Sequence, residues 1–237
     1  MWVAGPARRI PSGVAHGAVN LGLHLERGMT VGLFGGSFDP AHDGHALVAR
    51  TACARLGLDR LVWLVSPGNP LKPGAPSGLE RRMGSARRFA SGPRMRVSDA
   101  ETRLGVRYTI DTVRALKVRY PGVRFVWIMG ADGLLDFHRW RGWAELMAEV
   151  PVAVVTRPGS AIRSRFAPAA RRFAFARLPS SQAAILARSL PPAWIFLRAP
   201  WNFSSSTALR ALARNLPASG LRPLLDPAGG AGASAAH

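Results

Sequence analysis

The sequence predicts an α/β protein with a doubly wound, mainly parallel sheet and helices on both faces. Two observations carry this. Short apolar runs of strand length alternate with segments of helical periodicity from Met29 onward. The first such run, Val31-Gly32-Leu33-Phe34, passes through Gly35-Gly36 directly into a segment with apolar residues at helical spacing. A strand-to-helix crossing at a glycine pair is where open α/β sheets bind ligands, so the predicted architecture is Rossmann-like.

The periodicity places strands at Thr30–Phe34, Leu61–Val65, Met95–Ser98, Arg124–Met129, Val152–Thr156 and Trp194–Arg198. It places helices at Gly44–Leu56, Leu79–Ala90, Tyr108–Tyr120, Trp143–Glu149, Ser180–Arg188 and Ser205–Asn215. Residues 1–28 show no clean periodicity and are rich in Gly, Pro and Ala, so they are expected to form a disordered extension or to precede the true start. Residues 29–223 then form the domain, and the low-complexity stretch 224–237 a flexible tail. No internal repeat is visible.

A chain of 237 residues is long enough to bury a full core as one domain. A hydrophobic content of 48% and a mean hydropathy of +0.06 fit a compact soluble protein. No apolar run is long enough to cross a bilayer, and the N-terminus has no continuous apolar segment of the signal-peptide kind. Cys53, the single cysteine, excludes an internal disulfide and a cysteine zinc site. A cytoplasmic location and no membrane partner are expected.

The net charge of +19 comes almost wholly from arginine, Lys72 and Lys117 being the only lysines. Such a surplus suits anionic partners, either nucleotides or nucleic acid. The arginines are scattered in twos (Arg8-Arg9, Arg81-Arg82, Arg87-Arg88, Arg171-Arg172) rather than gathered in one run. That favours general attraction of small anions over a nucleic-acid surface, and no nucleic-acid partner is expected.

The stretch that organises the chain is Gly35-Gly36-Ser37-Phe38-Asp39-Pro40-Ala41-His42-Asp43-Gly44-His45. Gly35 and Gly36 remove side chains that would keep a phosphate from backbone N–H groups. His42 and His45 lie three residues apart, so a helix beginning near them carries both rings on one face. Their N–H donors then add to the positive end of the helix dipole, making a site for phosphate oxygens. A tight turn accounts for glycines after a strand, but not for the glycine pair, Asp-Pro turn and His-x-Gly-His together.

This string resembles the Gly-Gly-x-Phe-Asp-Pro-x-His-x-Gly-His signature of the nucleotidylyltransferase superfamily, and more narrowly the bacterial nicotinate-nucleotide adenylyltransferases. The resemblance implies transfer of an adenylyl group from ATP to nicotinate mononucleotide, giving deamido-NAD and pyrophosphate. It implies ATP and nicotinate mononucleotide as partners, with Mg²⁺ carried by the ATP phosphates. The scarcity of clustered carboxylates agrees with a metal held by phosphates and water, leaving no protein metal site. It also implies that Gly35, Gly36, Ser37 and Phe38 border the ATP phosphates, which His42 and His45 hold in the transition state.

Three further segments carry the resemblance. Ser66-Pro67-Gly68-Asn69-Pro70-Leu71-Lys72 follows the second strand, and from composition alone a plain surface loop and a phosphate contact by Lys72 remain equally open. In similar proteins such a loop borders the nucleotide, which makes Lys72 a candidate ligand. Tyr108-Thr109-Ile110 opens a helix whose first N–H groups are free to meet a carboxylate or phosphate, although ordinary capping explains it too. By the match, Tyr108 and the Thr109–Ile110 backbone lie at the nicotinate end of the substrate.

Ile128-Met129-Gly130-Ala131-Asp132 ends a buried strand on the ligand-binding edge, where Asp132 is placed to bond a ribose hydroxyl. Leu134, Leu135 and Phe137 read as core, whereas Trp140 offers an aromatic face to a pyridine ring. The string from Gly130 to Trp140 resembles the family segment that recognises nicotinate mononucleotide. It departs at Gly133, where a polar residue such as Asn or Ser is expected.

Ser204-Ser205-Ser206-Thr207-Ala208-Leu209-Arg210 runs hydroxyl residues into a helix start, an anion site by construction, with Arg210 one turn on and able to fold back. A capping run alone is common, but the stretch is similar to the family's Ile-Ser-Ser-Thr-x-x-Arg motif, with Ser204 in place of the apolar residue. By that match Ser205, Ser206, Thr207 and Arg210 hold the leaving pyrophosphate, and the catalytic set is His42, His45 and Arg210. The chemistry needs no covalent nucleophile, since the acceptor phosphate can attack the α-phosphorus directly. A related adenylyltransferase with another acceptor, such as phosphopantetheine, is the alternative, against which Phe137-His138-Arg139-Trp140 argues. A basic, non-catalytic nucleic-acid-binding protein is the other, and homo-oligomerisation stays open.

Overall fold

The computed structural model describes residues 24–68, 76–156 and 161–199. Its centre is a sheet of seven strands: β1 (Thr30–Gly36), β2 (Arg60–Val65), β3 (Met95–Ser98), β4 (Arg124–Gly130), β5 (Val152–Thr156), β6 (Arg177–Leu178) and β7 (Trp194–Arg198). They run in the order β3-β2-β1-β4-β5-β7-β6, and every neighbouring pair is parallel. Strand order reverses between β1 and β4, so β1 leads outward to β2 on one side while β4 flanks it on the other. A crevice opens beyond the carboxyl ends of two such strands.

Parallel strands joined by helical crossovers are covered on both faces and so read as apolar throughout. In β4, Trp127 and Met129 enter one core with Val31, Leu33, Phe137 and Trp194. Val126 and Ile128 enter the other with Phe34, Phe38, Trp63 and Ile195. All but Phe38 and Phe137 lie on strands, so alternation along each strand supplies both cores at once. Each fully buried large side chain contributes about 1.5–3 kcal/mol.

The helices are α1 (Asp43–Leu56), α2 (Leu79–Phe89), α3 (Ala100–Arg103), α4 (Thr109–Arg119), α5 (Ala131–Phe137), α6 (Trp143–Glu149), α7 (Ala161–Arg165) and α8 (Pro168–Arg172). α1 ends where Gly57 adopts a left-handed backbone (φ 61°), a conformation that costs glycine nothing. α4 is tied to α6 by Arg114, which reaches Glu145 at 2.7 Å and Glu149 at 3.2 Å, with Lys117 on Glu149 at 3.0 Å.

The six expected strands appear in place. The stretch Ser180–Arg188, expected as a helix, is instead a pair of 3₁₀ turns with a break at Gln182. Ala183, Leu186 and Ala187 are buried as the periodicity required, but nine residues cannot distinguish a period of 3.0 from 3.6. Helices α3, α7 and α8 and the two-residue β6 span too few turns for periodicity to mark them, and α5 follows β4 directly, without an expected boundary. The expected helix Ser205–Asn215 and the tail lie outside the described residues, as does most of the leading segment. Its last residues, 24–28, make domain contacts: Leu25 packs against the first core and the Gly28 N–H donates to Gly122 O at 2.9 Å. Among the described residues no helix is long and apolar enough to cross a membrane.

Candidate active site

β1 ends in Gly35-Gly36 at the centre of the sheet, and the chain then crosses to α1 through Ser37–His42. Gly35 is glycine for a reason the sequence did not show. A Cβ there would lie 2.3 Å from Cη2 of Trp127, whose indole lies against the strand from β4. Phe38 sits at φ 48°, an unusual conformation for a bulky residue, and its ring is 2% exposed against Phe34, Trp63 and His45. Its side chain therefore serves the core, and only its backbone is available to a phosphate.

The two histidines build the start of α1. His42 is the N-cap, and its Nδ1 accepts from the Gly44 N–H at 3.0 Å. His45 Nδ1 accepts from the His42 N–H at 3.3 Å, completing a capping box. The rings lie 3.9 Å apart. Since each Nδ1 is an acceptor, each neutral ring carries its proton on Nε2, making Nε2 the donor. His42 is buried (3% exposed).

The loop between β1 and α1 is held by α2. The Ser85 hydroxyl accepts from the Ala41 N–H at 2.9 Å, and the Asp39 carboxylate accepts from the Ser77 N–H at 3.1 Å. Arg82, 2% exposed, donates to Ser77 O at 2.7 Å, Ser37 O at 3.1 Å, Ser66 O at 2.6 Å and Pro67 O at 3.4 Å. One buried guanidinium thus gathers the β1–α1 loop, the loop after β2 and the approach to α2. Such a charge is tolerated because its donors are bonded to fixed carbonyl dipoles and the Asp39 carboxylate offsets part of the cost of burial.

Beyond the sheet edge a cavity of about 220 Å³ opens. One wall is Gly35, Gly36, Ser37, Ser66 and Gly68; the other is Glu101, Arg107, Tyr108 and Thr109, with Trp127, Arg139, Trp140 and Arg141 closing it. Tyr108 is the N-cap of α4 but its side chain makes no cap bond, and Thr109, the first residue of the helix, lines the cavity. The Arg141 guanidinium lies 4.7 Å from the Tyr108 ring centre. Trp140 packs edge-on to Trp127 and Phe137 while its remaining surface lines the cavity.

The structure therefore brings Gly35, Gly36, Ser37, Tyr108, Thr109 and Trp140 to one cavity, with Ile110 buried just behind (4% exposed). His42 and His45 stand beside that wall, across Phe38, rather than in its lining. Gly130 and Asp132 also lie outside the lining: Gly130 caps α5, and a Cβ on it would meet the Asp132 carboxylate at 2.4 Å. Lys72, Ser205, Ser206, Thr207 and Arg210 lie outside the described residues. The sequence did not single out Arg82, Glu101, Arg107, Trp127 or Arg141. Arginine is too common in this chain for position to mark one, and Glu101 sits in a four-residue helix without a pattern.

Glu101 is 7% exposed, and its Oε1 accepts from the Thr112 hydroxyl at 3.3 Å. Burial pushes its carboxyl up to about 7, against the opposing effect of that bond.

A doubly wound parallel sheet with a glycine crossing and paired histidines defines a nucleotidyltransferase, and residues 33–212 match the cytidylyltransferase-like family. A protein of Caulobacter sp. (strain K31) named "Probable nicotinate-nucleotide adenylyltransferase" is 64% identical over 183 residues, covering 77% of this chain and 97% of that one. One of the same name from Cereibacter sphaeroides is 54% identical over 186 residues, covering 78% and 98%. The chain belongs to the nicotinate-nucleotide adenylyltransferase family. Its fold is shared with the solved Plasmodium falciparum nicotinic acid mononucleotide adenylyltransferase complexed with NaAD (TM-score 0.60, 15% identity, 83% of this chain and 92% of that one).

Proposed function

We propose that the protein transfers the adenylyl group of ATP to nicotinate mononucleotide, forming deamido-NAD and pyrophosphate in the cytoplasm. One observation carries the reading: a single cavity joins the glycine wall at the end of β1 to the helix start and aromatic face at Tyr108, Thr109 and Trp140. The first suits phosphates and the second a flat anionic ring, and in-line transfer needs both substrates in one enclosure.

In this reading Gly35, Gly36 and Ser37 admit phosphate oxygens to the main chain, with Phe38 contributing backbone alone. His42 and His45 donate from Nε2 to the charge that develops on the transferring phosphate. The Thr109 and Ile110 N–H groups meet the nicotinate carboxylate at the positive end of α4, and the pyridine stacks on Trp140. Gly130 and Asp132 border the ribose. Lys72 and the Ser205–Thr207 turn with Arg210 complete the phosphate site from segments outside the described residues, Arg210 steadying the leaving pyrophosphate.

Among the described residues no group of three or more His, Cys, Asp or Glu side chains could hold a metal ion. Mg²⁺ enters as part of the nucleotide substrate, bound to its phosphates. Incubation with ATP and nicotinate mononucleotide should yield deamido-NAD by mass spectrometry in a one-to-one ratio with pyrophosphate. ATP consumption without that dinucleotide would contradict the reading.

A further inference from the structure

Glu101 brackets the acceptor wall of the cavity from both ends. Its backbone carbonyl accepts from the Val106 N–H at 3.1 Å, after Gly105 turns the chain through a left-handed conformation (φ 63°). Its carboxyl accepts from Thr112, which is fully buried in the first turns of α4. Between those two bonds lie Arg107, Tyr108 and Thr109, all of which line the cavity, as does Glu101 itself. A structural brace alone would be served by an amide or a hydroxyl. A carboxyl on the wall of a site for an anion is useful only if its charge is controlled.

We propose that Glu101 is a positioning residue and a charge filter for the acceptor: it holds Arg107–Thr109 against the cavity and admits an anionic ring only while its own carboxyl is uncharged. This rests on the acceptor reading above. When ionised, the carboxylate belongs to the wall that carries Thr109, where the incoming nicotinate carboxylate would sit, and like charges there repel.

The surrounding charged groups do not cancel that effect. Asp99 and Arg103 on α3 pair with each other at 2.7 Å. β2, against which α3 packs, offers only apolar residues from Leu61 to Val65. α4 adds Asp111, a like charge, near its start. Arg107, Arg139 and Arg141 line the cavity but are themselves exposed, and Arg139 is engaged by Asp136 at 3.6 Å. Tyr108 is the remaining titratable group on the wall. Burial raises the Glu101 carboxyl to about 7, against the bond from Thr112.

The test is steady-state kinetics of the full chain from pH 6 to 8, with wild type and Glu101→Gln, varying nicotinate mononucleotide and ATP in turn. Glutamine keeps the size and the acceptor for Thr112 but cannot ionise. The KM for nicotinate mononucleotide should rise about tenfold more in wild type than in Glu101→Gln across that interval, as expected for one proton released near its midpoint. The KM for ATP should change alike in both. Whatever rise Glu101→Gln retains belongs to the acceptor's own phosphate. A variant whose acceptor KM tracks wild type at every pH would overturn the proposal.

A wild type that makes no deamido-NAD at any pH would instead overturn the acceptor reading. Should Glu101→Gln fail to fold, calorimetry with wild type and nicotinate riboside, which carries the carboxylate but no phosphate, decides the matter. Binding should be about tenfold weaker at pH 8 than at pH 6. Equal binding would overturn the proposal.

Discussion

The indole of Trp127 stands where a side chain on Gly35 would have to go: a Cβ there would lie 2.3 Å from Cη2 and 2.6 Å from Cζ2. Gly35 is thus fixed by β4 as well as by any phosphate. Gly35→Ala should cost about 1–3 kcal/mol through overpacking. Trp127→Phe removes the carbons in conflict, so the double variant should be more stable than the sum of the two single losses. Chemical denaturation of all four proteins measures the coupling, and strict additivity would show that the two residues do not interact.

His45→Ala should leave the fold in place and lower kcat on the order of a hundredfold, the usual effect of removing one donor to developing charge. Its structural share includes a cap bond to the His42 N–H at 3.3 Å, worth about 0.5–1 kcal/mol, and ring packing against Phe34, Phe38 and His42. Purified His45→Ala with near-normal turnover would remove the histidine pair from the phosphate site.

Arg82→Met should be far more damaging than an average substitution, on the order of 3–5 kcal/mol, because a bonded buried charge is lost and its partners are left unpaired. Those partners are the carbonyls of Ser37, Ser66, Pro67 and Ser77. Arg82→Lys should recover little, since an ammonium cannot span four acceptors on three segments. Melting curves that place Arg82→Lys beside wild type would refute the clamp.

Burial of Glu101 has a consequence for stability apart from catalysis. Its folded-state value of about 7 lies above its ordinary 4.5, so the folded chain holds the proton more tightly than the unfolded one. Its contribution to stability is fully present below pH 4.5 and declines as pH rises through about 7. Converted at 1.36 kcal/mol per pH unit, the decline is about 3 kcal/mol. Glu101→Gln should therefore gain on wild type in urea denaturation as pH rises from 5 to 8. A constant difference between the two would contradict the raised value.

The same chemistry explains what was legible in the sequence. Val31–Phe34 and Arg124–Met129 announced themselves because a strand covered on both faces must be apolar throughout, and the glycine crossing fixed the ligand edge. Tyr108, Thr109 and Trp140 could be named from local pattern and family likeness, and the cavity unites them with Gly35–Ser37. Arg82 and Glu101 could not be named. Their importance lies in partners distant along the chain, such as Ser37 and Thr112, and no local pattern encodes them. Gly133 departs from the family pattern, yet a Cβ there would meet nothing nearer than Met129 Cβ at 3.5 Å, so the site has room for a polar residue. The leading segment shows a similar limit: Leu25 packs on the domain although no periodicity marks it.

The central claim is that one cavity couples adenylyl transfer to a pyridine acid. Pyrophosphate release from ATP, measured with nicotinate mononucleotide, nicotinamide mononucleotide and phosphopantetheine as acceptors, tests it most directly, with Trp140→Ala run beside wild type. Wild type should favour the acid over the amide and ignore phosphopantetheine, because only the acid presents charge to the start of α4 and a ring to the indole. Trp140→Ala should raise the KM for nicotinate mononucleotide far more than that for ATP. Preferential turnover of phosphopantetheine, or a wild type indifferent to acid and amide, would contradict the account.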